Sequence, residues 1–284
     1  MKLAVLGDAA GAVGAVAKRH PGVSEVVTIE ADAALTGGEW LGIVVSSETD
    51  GCAHLARRAL ASGLRVLLVG IPSGDVWRDL AVDAPDGLTL SRPLRFDPHI
   101  ARAKEVVGAG TIGTPRTLEI GWSFGDQTDA TAAAGELVDV ACHLLADTPA
   151  SIYAVVSDVA GPPVVKVNLL GTNGALAVIE AAVESADLPT RRDLHLLATD
   201  GEIVHRIGND DLLWSDGRVE PLPGATGNAE LLAREIDAWI DGGSASERLA
   251  RGTAAAWNLA VARALSRSLA TGEMVAIGEE VGGS

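Results

Sequence analysis

The chain has 284 residues, of which 48% are hydrophobic and 21% charged. That is ordinary globular composition, long enough for one large domain or two smaller ones, and it excludes disorder, collagen and coiled coil as descriptions of the whole. Thirty-eight acidic residues against 22 basic ones give a formal charge of −16, which argues against nucleic acid and anionic membrane as partners. Cys52 and Cys142 are far apart and lack metal-ligand spacing, so two free thiols in a reduced, cytoplasmic protein are expected. No apolar run reaches the ~18 residues that cross a bilayer. The N-terminus shows no secretory signal, because residues 2–6 run straight into Gly7 without a cleavage site.

Residues 2–6 (KLAVL) read as a strand ending at Gly7, and 9–18 as a helix of small residues. Further strands are expected at 25–30, 41–46 and 64–69, with a helix at 51–62. Apolar strands without polar alternation, separated by helices, indicate a parallel sheet covered on both faces. After about residue 90 the pattern changes. A helix is expected at 97–109, where Pro98 opens it and Gly110 follows it, then a strand at 115–124, a loop at 125–134 and a helix at 135–147. The runs 151–158, 163–170, 174–184, 193–199 and 202–207 follow without helices between them. They are separated by turns such as Thr172-Asn173-Gly174 and Asp200-Gly201, which favour antiparallel pairing. Helices at 228–241 and 246–270 finish the chain. The expected fold is an α/β Rossmann-type dinucleotide-binding domain over 1–90 plus an α+β domain over 91–284 with an open, mostly antiparallel sheet.

A dinucleotide loop needs glycine for a tight turn, for close approach of the pyrophosphate and for helix packing. Counted from Gly7, those positions hold Gly7, Ala9 and Ala12. Ala9 narrows the approach, and Asp8 sets a negative charge beside an anion site. A strand–turn–helix kept for packing alone explains these residues about as well. Glu30 stands where an acid would hold a ribose hydroxyl, which favours NAD over NADP. With the glycines altered, binding is expected to be weak or lost.

In the segment 135–147, Glu136, Asp139, His143 and Asp147 fall within an arc of about 80° at 100° per residue. Leu137, Val140, Ala141, Leu144 and Leu145 cover the neighbouring stripe. Asp139 lies one turn before His143, where a carboxylate can orient an imidazole and bring it toward acid–base work near neutral pH. A solvated polar face is the plain alternative. No metal is expected, for want of the usual ligand sets.

The stretch 91–120, with a helix, then Gly110-Thr-Ile-Gly113, then a strand, resembles the start of the second domain in the Gfo/Idh/MocA (glucose–fructose oxidoreductase / inositol dehydrogenase) family. Gly135, Asp139 and His143 match that family's active-site helix motif G-x-x-x-D-x-x-x-H, with Asp147 trailing it. Residues 174–184, 196–205 and 246–277 resemble its open sheet, last helix and closing strand. The resemblance implies an NAD(P)-dependent oxidoreductase acting on a small polar substrate that is sugar-, cyclitol- or imine-like. It casts His143 as proton relay and Asp139 as its orienter or a substrate ligand. The cofactor would lie across Gly7, Ser46, Ser47 and Gly70, and Trp122 and Arg92 would reach substrate. It also implies a homodimer or higher homo-oligomer, because the sheet of this fold is usually covered by a second subunit and 163–170 and 174–184 are more apolar than one covered face needs.

Three motifs depart from the family. The E-K-P lysine is missing: the stretch reads Val69-Gly70-Ile71-Pro72, with no lysine between Lys18 and Lys104. Ser46-Ser47-Glu48-Thr49 replaces the usual A-T-P-N, and Ala9 replaces a glycine. Arg92 or Arg95 could supply the lost charge, or serve only in structural ion pairs. An isomerase, lyase or cyclase using His143 and Asp139 without redox chemistry is the alternative, and a non-catalytic binding protein a third.

Overall fold

In the computed structural model, the described residues are 2–7, 10–30, 40–47, 49–70, 75–84, 86–125, 129–157, 162–183, 191–206, 211–222, 227–242 and 247–278. The chain divides into two compact units. One comprises Met1–Phe96 with Gly227–Leu259, and the other Asp97–Thr226 with Ala260–Ser284.

The first unit holds β1 (Lys2–Leu6), α1 (Ala10–Ala17), β2 (Glu25–Thr28), β3 (Trp40–Ser46), α2 (Cys52–Ala61), β4 (Arg65–Val69), α3 (Asp75–Asp83) and β5 (Leu88–Leu90). These five strands lie in the order β5-β4-β3-β1-β2 and are mutually parallel. The alternation of side chains along these strands builds two cores. Leu3, Val5, Val44 and Leu67 face α1 and a later helix, α6 (Asn228–Asp241), through Val13, Val16, Ile236 and Trp239. Ala4, Leu6, Ile43, Val45, Val66 and Leu68 face α2 and α3 through Leu55, Ala59, Trp77 and Leu80. Gly42 lets α6 come close: a Cβ there would sit 2.5 Å from the Arg65 carbonyl oxygen and 2.8 Å from the Trp239 ring. Arg65 completes the contact, its guanidinium 5.1 Å over that indole, with Nη1 donating to the Trp239 carbonyl at 2.5 Å. Helix α3 and strand β5 fill residues 75–90, a stretch in which the sequence shows no element.

The second unit contains α4 (Pro98–Gly108), β6 (Pro115–Phe124), α5 (Ala130–Leu145), β7 (Pro149–Ser157), β8 (Val164–Gly171), β9 (Leu176–Val183), β10 (Arg192–Ala198), β11 (Glu202–His205), β12 (Asp211–Trp214) and β13 (Val219–Pro221). Strands β14 (Ala250–Arg251) and β15 (Val275–Ala276) flank the long helix α7 (Gly252–Thr271). β14 pairs antiparallel with β5 of the first sheet and β15 with β7 of the second. The second sheet has the order β13-β12-β11-β10-β6-β9-β8-β7-β15, antiparallel except for β6 against β9. This is the open, mostly antiparallel sheet expected, and the first sheet is the Rossmann type.

Helix α5 lies on β6, β9 and β8. It buries Leu137, Val140, Ala141 and Leu144, while Ile120, Val167 and Ile179 supply the buried side of the strands. The helix starts at Ala130 rather than 135. The Asp129 carboxylate caps it by accepting from the Ala132 backbone N–H at 2.9 Å, and the alanine-rich turn that follows favours helix over the loop its small residues suggest. It stops at Ala146, whose φ of 51° is left-handed. Asp147 therefore leaves the helix instead of extending its polar face.

Candidate functional site

At the carboxyl edge of the first sheet, β1, β3 and β4 end side by side, and this edge is where ligands of such folds sit. Gly7 has φ 91°, and a Cβ there would overlap Thr49 Oγ1 and lie 3.1 Å from the Ser46 Cβ. Gly70 has φ 94°, and its Cβ would lie 2.5 Å from Ser47 Oγ. Gly7, Ser46, Ser47 and Gly70 thus form one cluster, held by the Ser47 N–H donating to the Val69 carbonyl at 2.9 Å. Ser47 Oγ is buried and has no hydrogen-bond partner among the described residues. Glu30 is exposed two residues beyond β2. Ala12 lies within α1, and Ala9 lies outside the described residues. Two glycines at positive φ, each packed against a neighbouring side chain, and an unspent Ser47 hydroxyl thus share this edge.

Cys52 Sγ donates to the Ser47 carbonyl at 3.7 Å. Burial pushes its thiol pKa up, so this sulfur stays protonated and is no nucleophile. Arg92 is 3% exposed and occupied with the fold of the first unit. Its backbone N–H donates to Glu235 at 2.5 Å, and its Nη1 to the Ser91 carbonyl at 2.8 Å.

In the second unit, α5 carries Asp139, 1% exposed, and His143 one turn later, half-buried. Lys104 of α4 donates to the His143 carbonyl at 2.6 Å. A cation at the last turn complements the helix dipole and fixes that end of α5. Lys166 pairs with Glu180 at 3.0 Å, and Lys2 of the first unit with Glu25 at 2.8 Å. Asp147 organises the β8–β9 turn: it accepts from the Thr148 N–H at 2.7 Å and from Thr172 Oγ1 at 2.9 Å.

Carboxylates lie beside imidazoles at several places in the protein. His20 lies 3.0 Å from Asp241, His195 2.7 Å from Glu202, and His99 3.3 Å from Asp97. His99 also stacks on His205, with ring centroids 3.7 Å apart. Burial first, and the neighbouring His99 second, push the His205 pKa down. Both rings are buried. Among the described residues no group of His, Cys, Asp or Glu could hold a metal ion.

Trp122, near the end of β6, is 5% exposed. The guanidinium of Arg192, its register partner on β10, lies 4.9 Å over the ring. Arg192, Lys104 and Glu235 are absent from the sequence-derived site. Arg192 was findable: it opens an alternation with Leu194 and Leu196 that sets all three on one face of a strand.

No protein-family model matches the chain, and no curated protein is similar to it. Solved structures are similar over the whole length. An oxidoreductase from Agrobacterium radiobacter, in complex with NAD+, L-tartaric acid and magnesium, aligns at TM-score 0.75 and 17% identity over 98% of each chain. The scyllo-inositol dehydrogenase of Lactobacillus casei, with NAD(H) and scyllo-inositol bound, aligns at 0.72 and 13% over 98% of this chain and 99% of that one. A myo-inositol dehydrogenase from Corynebacterium glutamicum aligns at 0.72 and 18% over 97% and 98%. The chain shares the fold of these solved structures, a Rossmann-type unit followed by a second sheet domain. No helix among the described residues is long and apolar enough to cross a membrane.

Proposed function

We propose that the chain is a divergent Gfo/Idh/MocA family member, an oxidoreductase that acts on a small polar, sugar- or cyclitol-like alcohol with a nicotinamide dinucleotide. The observation that carries this proposal is a fold shared over 98% of the chain with a scyllo-inositol dehydrogenase that holds NAD(H) and its cyclitol. Gly7, Ser46, Ser47 and Gly70 would hold the dinucleotide, and Glu30 would select NAD by repelling a 2′-phosphate. The dinucleotide, when bound, supplies the hydride acceptor. His143 takes the proton that the substrate hydroxyl gives up. Asp139, buried one turn earlier, orients the imidazole. The alternating strands of the second sheet leave Tyr153, Val155, Leu170, Leu176, Val178 and Leu197 exposed on its open face, which is suited to a second copy of the chain.

The test is dinucleotide reduction by the purified protein across a panel of polyols and cyclitols. His143→Ala should lose ~10²–10⁴ in rate while keeping its fold, and Asp139→Asn should lose less. Turnover by His143→Ala at the wild-type rate would remove the pair from the mechanism.

A further inference from the structure

Two consecutive arginines, Arg191 and Arg192, stand at the start of β10, and they are treated in opposite ways. Arg191 Nη1 donates to Glu180 at 2.5 Å and its Nε to Asp193 at 2.8 Å. The two carboxylates hold its pKa above the usual value, and its charge is answered within the protein. Arg192 is turned to the other side. It lies opposite Trp122 in the β10–β6 register, as Leu194 lies opposite Ile120 and Leu196 opposite Leu118. All five of those partners are buried. Arg192 Nε and Nη1 are buried and have no hydrogen-bond partner among the described residues. None of the ion pairs among those residues includes Arg192.

Two buried, unspent guanidinium donors are costly, and one aromatic face returns only part of that cost. If Arg192 served packing alone, an apolar residue opposite Trp122 would do better. We propose that Arg192, seated on Trp122, receives the carboxylate of an acidic substrate, so that the enzyme acts on a polyol acid such as an aldonate or uronate rather than on a neutral polyol. This rests on the oxidoreductase proposal above and narrows its substrate class. A planar guanidinium matches a carboxylate in shape and in charge, one against one. A phosphate, nearer −2, would need further cations, and this chain has 22 against 38 acids. Helix α5, which carries Asp139 and His143, lies on β6, so the anion site and the proton-transfer pair belong to the same side of one sheet.

The experiment is calorimetric titration of the full-length protein with D-glucuronate, D-gluconate and D-glucuronamide, the last being the neutral isostere of the first, and with inorganic phosphate. Wild type, Arg192→Lys and Arg192→Gln are compared, each checked by thermal melting, with NADH titrated in parallel. The wild type should bind at least one acid tenfold or more tightly than the amide. Arg192→Gln should abolish that preference, and Arg192→Lys should keep part of it, which also serves if the Gln variant does not fold. Equal binding of acid and amide by the wild type overturns the proposal. So does an acid preference that survives in Arg192→Gln, tighter binding of phosphate, or the absence of binding by either acid. NADH bound normally with no Arg192 effect defeats this proposal alone. An Arg192-dependent acid preference without NADH binding defeats the oxidoreductase proposal and leaves the anion site standing.

Discussion

Replacing Glu235 should destabilise the first unit severely, although it lies on no catalytic motif. The side chain is 0% exposed. Its Oε2 accepts from Ser91 Oγ at 2.5 Å and its Oε1 from the Arg92 backbone N–H at 2.5 Å, which ties α6 to the segment that leaves β5. Glu235→Ala strips the acceptor from two buried donors, at roughly 1–3 kcal/mol each, and leaves a void, so a loss of about 3–5 kcal/mol is expected. Glu235→Gln keeps the volume and one carbonyl for the Arg92 N–H, and the Ser91 hydroxyl can rotate to accept from the new amide. Its cost should be about 1–2 kcal/mol. Urea unfolding followed by tryptophan fluorescence measures both, because Trp239 is fully buried on the same helix. Thermal melting of the Ala variant should fall by on the order of 10 °C. If Glu235→Ala unfolds within about 1 kcal/mol of wild type, or Glu235→Gln is as damaging as Ala, the carboxylate is not what holds these segments together.

Acid should destabilise the protein in part through His205. Burial and His99 lower its folded pKa, against weaker opposing help from the Asp211 carbonyl, Asp97 and Asp193, so the unfolded chain binds this proton more readily. No stability is lost to this group above about pH 6.5, and the loss accumulates as pH falls from there toward the depressed folded value. His205→Gln should flatten the acid limb of a stability–pH curve, and an unchanged limb would contradict the assignment. Glu30→Ala should raise the affinity for NADPH relative to NADH, read by competition titration. A ratio identical to wild type would remove Glu30 from the dinucleotide site.

The central strands of the first sheet were legible because they are apolar on both faces: Leu3–Leu6 and Leu41–Ser46 are wholly buried, so no alternation was there to confuse their period. The second sheet was legible from its turns, while the alternation of buried and exposed residues along β8 and β9 shows only in the structure. Helix α3 was not. Its run Asp75–Asp83 alternates charge with Trp77, Leu80 and Ala81 and follows Pro72 without a clear cap, and what makes it helical is packing against the sheet. A helical wheel carries Asp147 onto the polar face of α5, but the left-handed Ala146 ends the helix first and no periodicity announces it. Asp139 and His143 were visible from spacing and from the family motif. The place of Arg192 on the buried face shows in its alternation with Leu194 and Leu196, but its lack of a counter-charge and the partner of Glu235, more than 140 positions away, are not contained in a linear pattern.

The most direct test of the central claim is titration of the purified protein with NADH and NADPH, followed by nicotinamide fluorescence. Saturable binding of NADH is expected, weaker than an intact glycine loop would give because of Asp8 and Ala9, and weaker binding still of NADPH. Failure to bind either, with the protein folded, or tighter binding of NADPH than of NADH, would contradict it.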